Sequence, residues 1–321
     1  MRDQEHLWEP YGPAMVGKAK AALDDTGRVA AWEYEVWSNT HTTRPGPAGN
    51  LLPARLVDPP FAPPPPRPIP MPEGGGDRNA IPLYNFPKAR VTYHFVPAMP
   101  IRVSALRSLG AYTNIFVIES FVDELARQTS VDPVDFRLRH LDDQRAHDVV
   151  TTAAEAFGWS RYHRAPHRGR GFAFARYKNL AAYTAIAAEV AIEPNTGHVR
   201  LIRAVAATDS GQAVNPDGIK NQIEGGILQS SSWTLYEAVS FDRRRIISAD
   251  WSSYPTLRFE DVAEGIEVHV IDRPGQPFLG TGEAVQGPTA AAIANAVADA
   301  AGVRIRELPL TRERVKAAIG A

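Results

Sequence analysis

A single carboxylate near the end of the chain has the setting that most strongly suggests chemistry. Glu283 follows the turn Gly280-Thr281-Gly282 and precedes an alanine-rich stretch over 290–301. Glycines let a backbone turn tightly and approach another group closely, and small side chains let a helix pack closely. A carboxylate in such a tight, mostly apolar place is suited to act as a general base. From the residues alone, a helix-capping carboxylate that interacts with the helix dipole is the alternative.

The composition excludes several classes of function. The chain has 321 residues and a formal net charge of −1, so nothing electrostatic indicates a nucleic-acid partner. Its length allows two domains with a sizeable core. There is no cysteine, so the chain cannot ligate an iron–sulfur cluster or supply a thiol nucleophile. The nine histidines lack the His-x-x-x-His spacing beside a glutamate, and we predict no metal-ligating residue.

The sequence also bears on compartment. No apolar run reaches the length of a membrane-spanning helix, so we predict no membrane span. The polar stretch 1–6 does not resemble a signal peptide, which predicts a cytoplasmic location. Export together with a partner would place the protein in the periplasm instead.

Hydrophobic periodicity and turn residues predict an α+β fold, because hairpins and separate helices are mixed without regular βαβ winding. The predicted strands cover 14–23, 28–38, 89–97, 101–106, 171–178, 182–193, 198–208 and 263–271. The predicted helices cover 114–128, 133–140, 146–157, 215–238, 288–301 and 311–319. Asn114 and Asp132 are interpreted as helix caps, and Pro133 as the first residue of its helix.

A long segment without regular structure is predicted over 39–81, where prolines and a Gly74-Gly75-Gly76 run interrupt the chain. Such a loop is unusual inside a compact domain. Its leucine, valine, phenylalanine and isoleucine content argues against a flexible linker or a solvated proline-rich ligand. We therefore predict an extended arm that packs against other protein.

Four blocks, in this order and spacing, carry a family resemblance. They are Leu106-Arg107-Ser108-Leu109-Gly110 with 111–126 and 132–141, then 183–190, then 209–217 with Gln222-Ile223-Glu224-Gly225-Gly226, and lastly Gly280-Thr281-Gly282-Glu283 with 292–297. Together they resemble the large subunit of the molybdenum hydroxylases, the xanthine dehydrogenase and aldehyde oxidase family. The isoquinoline 1-oxidoreductase-like branch is the most similar.

The resemblance implies a molybdopterin-binding fold of mixed sheets and packed helices. It implies that residues 1–145 are the C-terminal part of a first molybdopterin-binding domain, including the arm 39–81, and that residues 146–321 are a second such domain. It covers only the C-terminal part of the family's large subunit. The partners that it implies are the upstream half of that subunit, a small iron–sulfur subunit and a small-molecule substrate.

The cofactor implied is molybdenum–molybdopterin, with the cytosine dinucleotide form as one option. In the family a glutamate removes a proton from a hydroxide on the metal, and electrons leave through [2Fe–2S] clusters. The matching base here is Glu283. Because this chain has no cysteine, those clusters must lie on a separate subunit.

The family motif also assigns cofactor-binding positions. The Gln222 amide would hydrogen-bond the pterin, since an amide both donates and accepts; a solvated helix residue is the alternative. Arg107 would lie beneath the cofactor as an anion partner, or else be an ordinary surface arginine. Four glycines would allow close approach of the backbone, with tight helix packing as the alternative for the middle two: Gly110, Gly225, Gly226 and Gly282.

The resulting prediction is part of a molybdopterin-dependent oxidoreductase that hydroxylates an aldehyde or an N-heteroaromatic compound with oxygen from water. Leu109 stands where purine-oxidising members carry an aromatic residue, which disfavours a purine substrate. The alternative is a non-catalytic fragment or interaction subunit that keeps the fold and needs the upstream half to bind cofactor.

Overall fold

The structure is a computed structural model, and it describes His6, residues 9–44 and residues 46–320. Strands and helices alternate irregularly along this part of the chain, in two separate sheets. The strands are β1 (Met15–Leu23), β2 (Val29–Ser38), β3 (Ala89–Phe95), β4 (Arg168–Arg176), β5 (Tyr183–Glu193), β6 (His198–Asp209) and β7 (Gly265–Ile271). The helices are α1 (Ala111–Gln128), α2 (Pro133–Leu138), α3 (Gln144–Phe157), α4 (Pro216–Leu235), α5 (Gln286–Ala301) and α6 (Arg312–Ile319).

The first sheet has the order β1-β2-β3. β1 and β2 form the predicted hairpin, in which Asp24 closes the turn by accepting from the backbone N–H groups of Thr26 (2.8 Å) and Arg28 (3.0 Å). β3 runs parallel to β2 and returns only after the long segment that follows β2. Alternate residues of β2, including Trp32, Tyr34 and Val36, are buried beneath α1 and its neighbours.

The second sheet has the order β4-β5-β6-β7, with β7 parallel to β6 and the other pairs antiparallel. Helix α5 lies against β4, β5 and α1. The approach is close because β4 presents glycines: a Cβ on Gly171 would lie 2.1 Å from the carbonyl oxygen of Ala292, and one on Gly169 would lie 2.2 Å from that of Ala296. The predicted tight packing of the alanine-rich helix is confirmed, and so is the α+β fold.

Two local predictions are wrong. No strand forms over 101–106, where Val103 makes only an isolated bridge with Tyr11, because no neighbouring edge continues the ladder. Helix α1 begins at Ala111 rather than at Asn114. Asn114 does not cap the helix; it is buried and connects the helix to the segment before β3. Its amide nitrogen donates to the carbonyl oxygens of Gly76 and Arg78, both at 2.8 Å.

The segment 39–81 is irregular, as predicted, apart from single helical turns at Ala48–Asn50 and Pro53–Arg55. Several of its apolar side chains are exposed on this chain, with Leu56 at 80%. The end of the segment is buried instead: Gly74–Gly76 and Arg78–Ala80 pack against α1 and the residues around Tyr177. The last part of the segment therefore reaches the candidate site described below.

Within the described ranges, no helix combines the length and apolarity needed to cross a membrane. The same residues contain no group of three or more histidine, aspartate and glutamate side chains arranged to hold a metal ion.

Candidate functional site

Glu283 stands on a short turn that enters a fully packed helix. The turn is closed by a hydrogen bond from the backbone N–H of Ala284 to the carbonyl oxygen of Thr281, at 3.1 Å. The hydroxyl groups of Thr281 and Ser210 lie 2.6 Å apart and tie the turn to the end of β6. Helix α5 then begins at Gln286 and is buried through Ala298. The acid is thus joined to the helix through two buried residues, Ala284 and Val285.

The Glu283 carboxylate is held by donors from two distant segments. Its Oε1 accepts from the backbone N–H of Ser108 at 2.9 Å, and its Oε2 accepts from the Tyr177 hydroxyl at 2.8 Å. Arg78 Nη1 lies 4.0 Å from Oε2, and the glutamate side chain is 36% exposed. The mostly apolar setting expected from the sequence is therefore wrong, because polar groups from two distant segments converge on both oxygens.

The loop before α1 aims the Ser108 N–H at this carboxylate. Ser108 and Leu109 have positive φ angles of 75° and 50°, a region that non-glycine residues seldom adopt. The loop is held from behind by a hydrogen bond from the Gly110 N–H to the Gly75 carbonyl oxygen (3.1 Å). A Cβ on Gly110 would lie 2.4 Å from that same oxygen, so this glycine is needed for close packing of the loop. The unusual backbone conformation of this loop directs the Ser108 N–H toward Glu283.

Arg107 connects this loop to two other segments. Its Nε donates to the carbonyl oxygen of Gly282 (2.5 Å), and its Nη2 donates to the backbone oxygen (3.1 Å) and side-chain Oε1 (3.2 Å) of Gln222. Its Nη1 donates to Gln229 Oε1 at 3.2 Å. Partial burial lowers the pKa of the Arg107 guanidinium while the Glu283 charge acts in the opposite direction, and arginine remains a cation. Arg107 is thus an ordered member of the site rather than a free surface arginine.

A buried amide reinforces the same junction. Gln286 is fully buried at the start of α5. In the orientation that satisfies both ends of its amide, the nitrogen donates to the carbonyl oxygen of Glu283 (3.1 Å) and the oxygen accepts from Arg107 Nη1 (3.2 Å). The same oxygen lies 2.8 Å from Arg107 Nε, whose single N–H it shares with the Gly282 carbonyl oxygen. The turn that carries the acid and the arginine that crosses it are therefore fixed relative to each other.

The four predicted glycines differ in what surrounds them. A Cβ on Gly226 would lie 2.2 Å from Val285 Cγ1, so close packing of α4 requires this glycine. A Cβ on Gly225 would meet nothing within 4 Å, and one on Gly282 would lie at an ordinary 3.5 Å from Gln222 Oε1. Packing within the chain thus accounts for Gly110 and Gly226, whereas Gly225 and Gly282 border open space.

An open cavity of about 290 Å³ lies beside Gln222 and Gly282. Its walls come from the end of β6, the start of α4 and the turn before Glu283. Phe278 and Val214 line it and are 77% and 74% exposed. Along α4, Gln222, Gly225 and Gln229 are spaced so that they lie on one side of the helix. The site therefore offers a cavity with an amide-bearing helix face next to a carboxylate.

The structure brings together Glu283, Arg107, Gln222 and Gly282, which the sequence singled out from three separate blocks. Sequence reasoning missed Arg78, Tyr177, Ser108, Gln229 and Gln286. Ser108 lies inside a quoted block, but its contribution is a backbone N–H, which no side-chain pattern reveals. Arg78 follows the Gly74–Gly76 run, and that run is the one signal that pointed to its segment.

Comparison with known proteins assigns the fold to a family. Two models described as molybdopterin cofactor-binding domains match the chain, one over residues 74–141 and the other over residues 120–263. The chain is 39% identical over 333 aligned residues to a nicotinate dehydrogenase subunit of Pseudomonas putida, covering 99% of this chain and 27% of that protein. It is 33% identical to the beta subunit of isoquinoline 1-oxidoreductase of Brevundimonas diminuta, covering 71% of this chain and 29% of that protein.

Solved structures agree at the level of the fold. Quinoline 2-oxidoreductase from Pseudomonas putida superposes with a TM-score of 0.79 at 14% identity, covering 100% of this chain and 64% of that one. The aldehyde oxidoreductase from Desulfovibrio desulfuricans gives 0.77 at 15% identity, covering 99% and 50%. The alignments with the two curated relatives cover 27% and 29% of those proteins, so the chain spans less than a third of their length. The domain matches and these relatives together show that the chain belongs to the molybdenum hydroxylases, the xanthine dehydrogenase and aldehyde oxidase family.

Proposed function

We propose that this chain supplies the general base and part of the cofactor-binding surface of a molybdopterin-dependent hydroxylase. One observation carries the proposal. Segments as distant as Ser108 and Glu283, which are 175 positions apart, converge on one carboxylate, and Gly282 immediately before it lines an open cavity. A capping glutamate would need only the N–H groups of its own helix. Here the carboxylate oxygens accept instead from Ser108 and Tyr177.

The donor set of the site fits a molybdopterin group. Such a group has a flat heterocycle with many hydrogen-bonding edges and carries phosphate. The outer side of α4 offers the Gln222 amide and the open space beside Gly225, and Arg107 provides a fixed cation. We therefore propose Arg107, Gln222, Gly225 and Gly282 as residues that would contact the cofactor. Gly110 and Gly226 remain in the proposal as glycines that allow the surrounding backbone to pack closely.

When bound, the molybdenum centre would supply two-electron redox chemistry and transfer an oxygen derived from water. Glu283 would accept the proton released in that transfer. The Ser108 N–H and the Tyr177 hydroxyl orient the carboxylate, and its 36% exposure gives a second species access to it. Positioned proton acceptors of this kind contribute about 100- to 10,000-fold to rate.

We place the substrate among aldehydes and N-heteroaromatic compounds. The proposal is supported by the names of the relatives, which refer to nicotinate, isoquinoline and aldehydes. Leu109 lines a second, larger cavity near Arg107, and an aliphatic side chain there supplies no stacking surface for a purine. The non-catalytic alternative predicts instead that the assembled complex binds no molybdenum and turns over none of these substrates.

The assembly belongs to the same proposal. We propose that the chain works with the upstream half of a large subunit and with a small subunit that carries [2Fe–2S] clusters. The absence of cysteine supports placing the clusters on a separate polypeptide. The cytosine dinucleotide form of the cofactor and a cytoplasmic location are proposed alongside. The proposed domain boundary at 145/146 falls in the first turn of α3, between the sheet of β1–β3 and the sheet of β4–β7.

The test is co-expression of the chain with the upstream half and the cluster-carrying polypeptide, followed by molybdenum analysis and turnover assays. Nicotinate, isoquinoline and benzaldehyde are the probes. Glu283→Gln keeps the size of the side chain and removes the base. We expect wild-type metal content with turnover reduced at least about 100-fold. Glu155→Gln, at an exposed position on α3, is the matched control and should retain full activity.

Full turnover in metal-loaded Glu283→Gln would show that this residue is not the base. An assembled complex that binds no molybdenum would support the non-catalytic alternative. We expect the isolated chain to contain no metal.

A further inference from the structure

The Tyr177 hydroxyl lies between a cation and the proposed base. Arg78 Nη1 is 2.6 Å from the Tyr177 oxygen, and that oxygen is 2.8 Å from Glu283 Oε2. Both Arg78 and Tyr177 are buried, at 5% and 3% exposure. The order of the three groups is therefore Arg78, Tyr177, Glu283, with the carboxylate at the more open end.

The chemistry of arginine fixes the direction of the hydrogen bonds. A guanidinium donates and has no acceptor, so the Tyr177 oxygen must accept from Arg78. The hydroxyl has one proton, which is then left to point at Glu283. Burial raises the pKa of the Tyr177 hydroxyl while the charge of Arg78 acts in the opposite direction, so tyrosine keeps this proton throughout the working range of pH.

Arg78 is itself held in place. Its Nε donates to the carbonyl oxygen of Glu73 (2.8 Å) and its Nη2 donates to that of Gly74 (3.0 Å). The planar guanidinium therefore cannot turn away from Tyr177 without losing both bonds. Two more cations lie near these groups. Lys178 Nζ is 5.6 Å from the Tyr177 ring centre and pairs with Glu73. Arg107 interacts electrostatically with Glu283.

We propose that Arg78 and Tyr177 are positioning residues that hold Glu283 in the orientation required of the base. The inference rests on the proposed function of Glu283. The geometry also assigns the route that the proton does not take: a proton accepted by Glu283 cannot pass through Tyr177, because Arg78 has no lone pair to receive the next one. The proton has to leave from the exposed side of Glu283.

The decisive variant is Tyr177→Phe in the assembled, metal-loaded enzyme, assayed with whichever of nicotinate, isoquinoline and benzaldehyde is turned over. A hydrogen bond to a charged group is lost, so we expect kcat to fall about ten- to a hundredfold. KM should change less than about twofold, since Tyr177 does not touch substrate in this proposal.

Three controls separate positioning from a general structural role. Tyr162→Phe removes another buried hydroxyl, one that has no hydrogen-bond partner among the described residues, and should leave kcat and KM unchanged. Arg78→Lys keeps the positive charge but replaces three separate guanidinium nitrogens by one ammonium nitrogen, which cannot reach all three acceptors in their present positions. Its kcat should therefore fall between the wild type and Tyr177→Phe. In a Tyr177→Phe background, Arg78→Lys should cause little further loss, since it keeps the positive charge near Glu283 Oε2 and the hydroxyl that the guanidinium holds is already missing.

A second readout needs no turnover. In crystals of the cofactor-free protein, Glu283 should adopt one side-chain conformation in the wild type and more than one in Tyr177→Phe. Wild-type kcat in Tyr177→Phe, with Glu283 unmoved and Glu283→Gln inactive, would overturn the positioning role and leave the proposed function standing. Full activity of Glu283→Gln would instead contradict the proposed function of Glu283, and Arg78 and Tyr177 would then have no base to position.

Discussion

Arg107 and Gln222, which stand 115 positions apart in the sequence, meet through both the backbone and the side chain of the glutamine. Arg107 Nη2 lies 3.1 Å from the Gln222 carbonyl oxygen and 3.2 Å from its Oε1. One guanidinium thus sets the position of the helix α4 face and, through Gly282, that of the turn before Glu283. If this face receives the cofactor, Arg107 controls its binding without being the base.

Replacement of Arg107 by lysine should therefore reduce cofactor content. A lysine ammonium is a point charge and cannot reproduce the planar set of donors, so the exchange is not conservative. We expect molybdenum content of the assembled enzyme to fall about tenfold, the equivalent of one charge-assisted hydrogen bond. Metal analysis with circular dichroism measures content and folding separately. Arg161→Lys, at an exposed position, is the control, and equal molybdenum content in both variants would contradict the prediction.

Two adjacent glycines on α4 give a matched pair of substitutions. Gly226→Ala places a methyl group 2.2 Å from Val285 Cγ1, and overpacking of this kind costs about 1–3 kcal/mol of unfolding free energy. Gly225→Ala meets nothing within 4 Å and removes a helix-interior glycine, so it should stabilise the chain by about 0.5–1 kcal/mol. Urea denaturation of the two variants measures this difference.

The same pair tests whether the open space beside Gly225 is used. If cofactor lies there, Gly225→Ala should lower molybdenum content in the assembled enzyme although it stabilises the fold. Wild-type metal content in Gly225→Ala would show that the cofactor lies elsewhere.

His41 predicts a loss of stability in mild acid. Burial, with help from the Arg78 and Arg44 charges, lowers the pKa of His41 to about 4 from the ordinary 6.5. The unfolded chain therefore binds a proton on this residue at a pH where the folded chain does not, so its contribution is complete above about pH 6.5 and is lost as the pH falls toward 4. The shift corresponds to roughly 3 kcal/mol.

The measurement is urea denaturation at several values between about pH 7.5 and about pH 4.5, which brackets most of the titration. His41→Gln should flatten the loss of unfolding free energy across this range, whereas His163→Gln, outside the buried core, should not. An unchanged slope in His41→Gln would contradict the assignment.

The buried pair of Glu119 and Arg137 should be the most sensitive electrostatic contact in the core. Glu119 Oε2 accepts from Arg137 Nε and from the Phe174 backbone N–H, both at 2.8 Å, and Oε1 accepts from the Tyr84 hydroxyl at 2.7 Å. Glu119→Gln leaves a buried guanidinium uncompensated, which costs about 3–5 kcal/mol.

A second glutamate of α1 provides the comparison. Glu124 pairs with the exposed Arg306 at 2.6 Å and lies 3.6 Å from Arg304 Nε. Because Asp123 still compensates Arg304 at 2.7 Å, Glu124→Gln should cost less than about 1 kcal/mol. Denaturation of both variants by urea compares the two pairs directly. Equal losses would show that burial does not set the strength of these contacts.

These two glutamates also show how far the sequence could predict the structure. Helical spacing on α1 and the Asp132-Pro133 start of α2 predicted the helices because those signals are local; Asp132 does accept from the Val134 N–H at 2.8 Å. The position of Glu119 on the polar side of α1 could not reveal that this side is also buried. That outcome depends on Arg137 and β4, which arrive later in the chain.

The site shows the same division. Glu283, Arg107 and Gln222 could be named because the family motif carries them within short blocks. The polar enclosure of Glu283 could not, since Tyr177 and Arg78 are 99 positions apart and make their contacts through tertiary packing. The failed strand at 101–106 has a related cause: alternation predicts a strand, but only a neighbouring edge can complete one.

The burial of α5 has a mechanical consequence. The helix is enclosed from Gln286 through Ala298, with β4 backbone in direct contact, and it starts only three residues after Glu283. Interiors packed in this way resist compression, so the acid is seated on a region that yields little. Any adjustment to the shape of a reactant would therefore fall to the opposite wall of the site rather than to the wall that carries the acid.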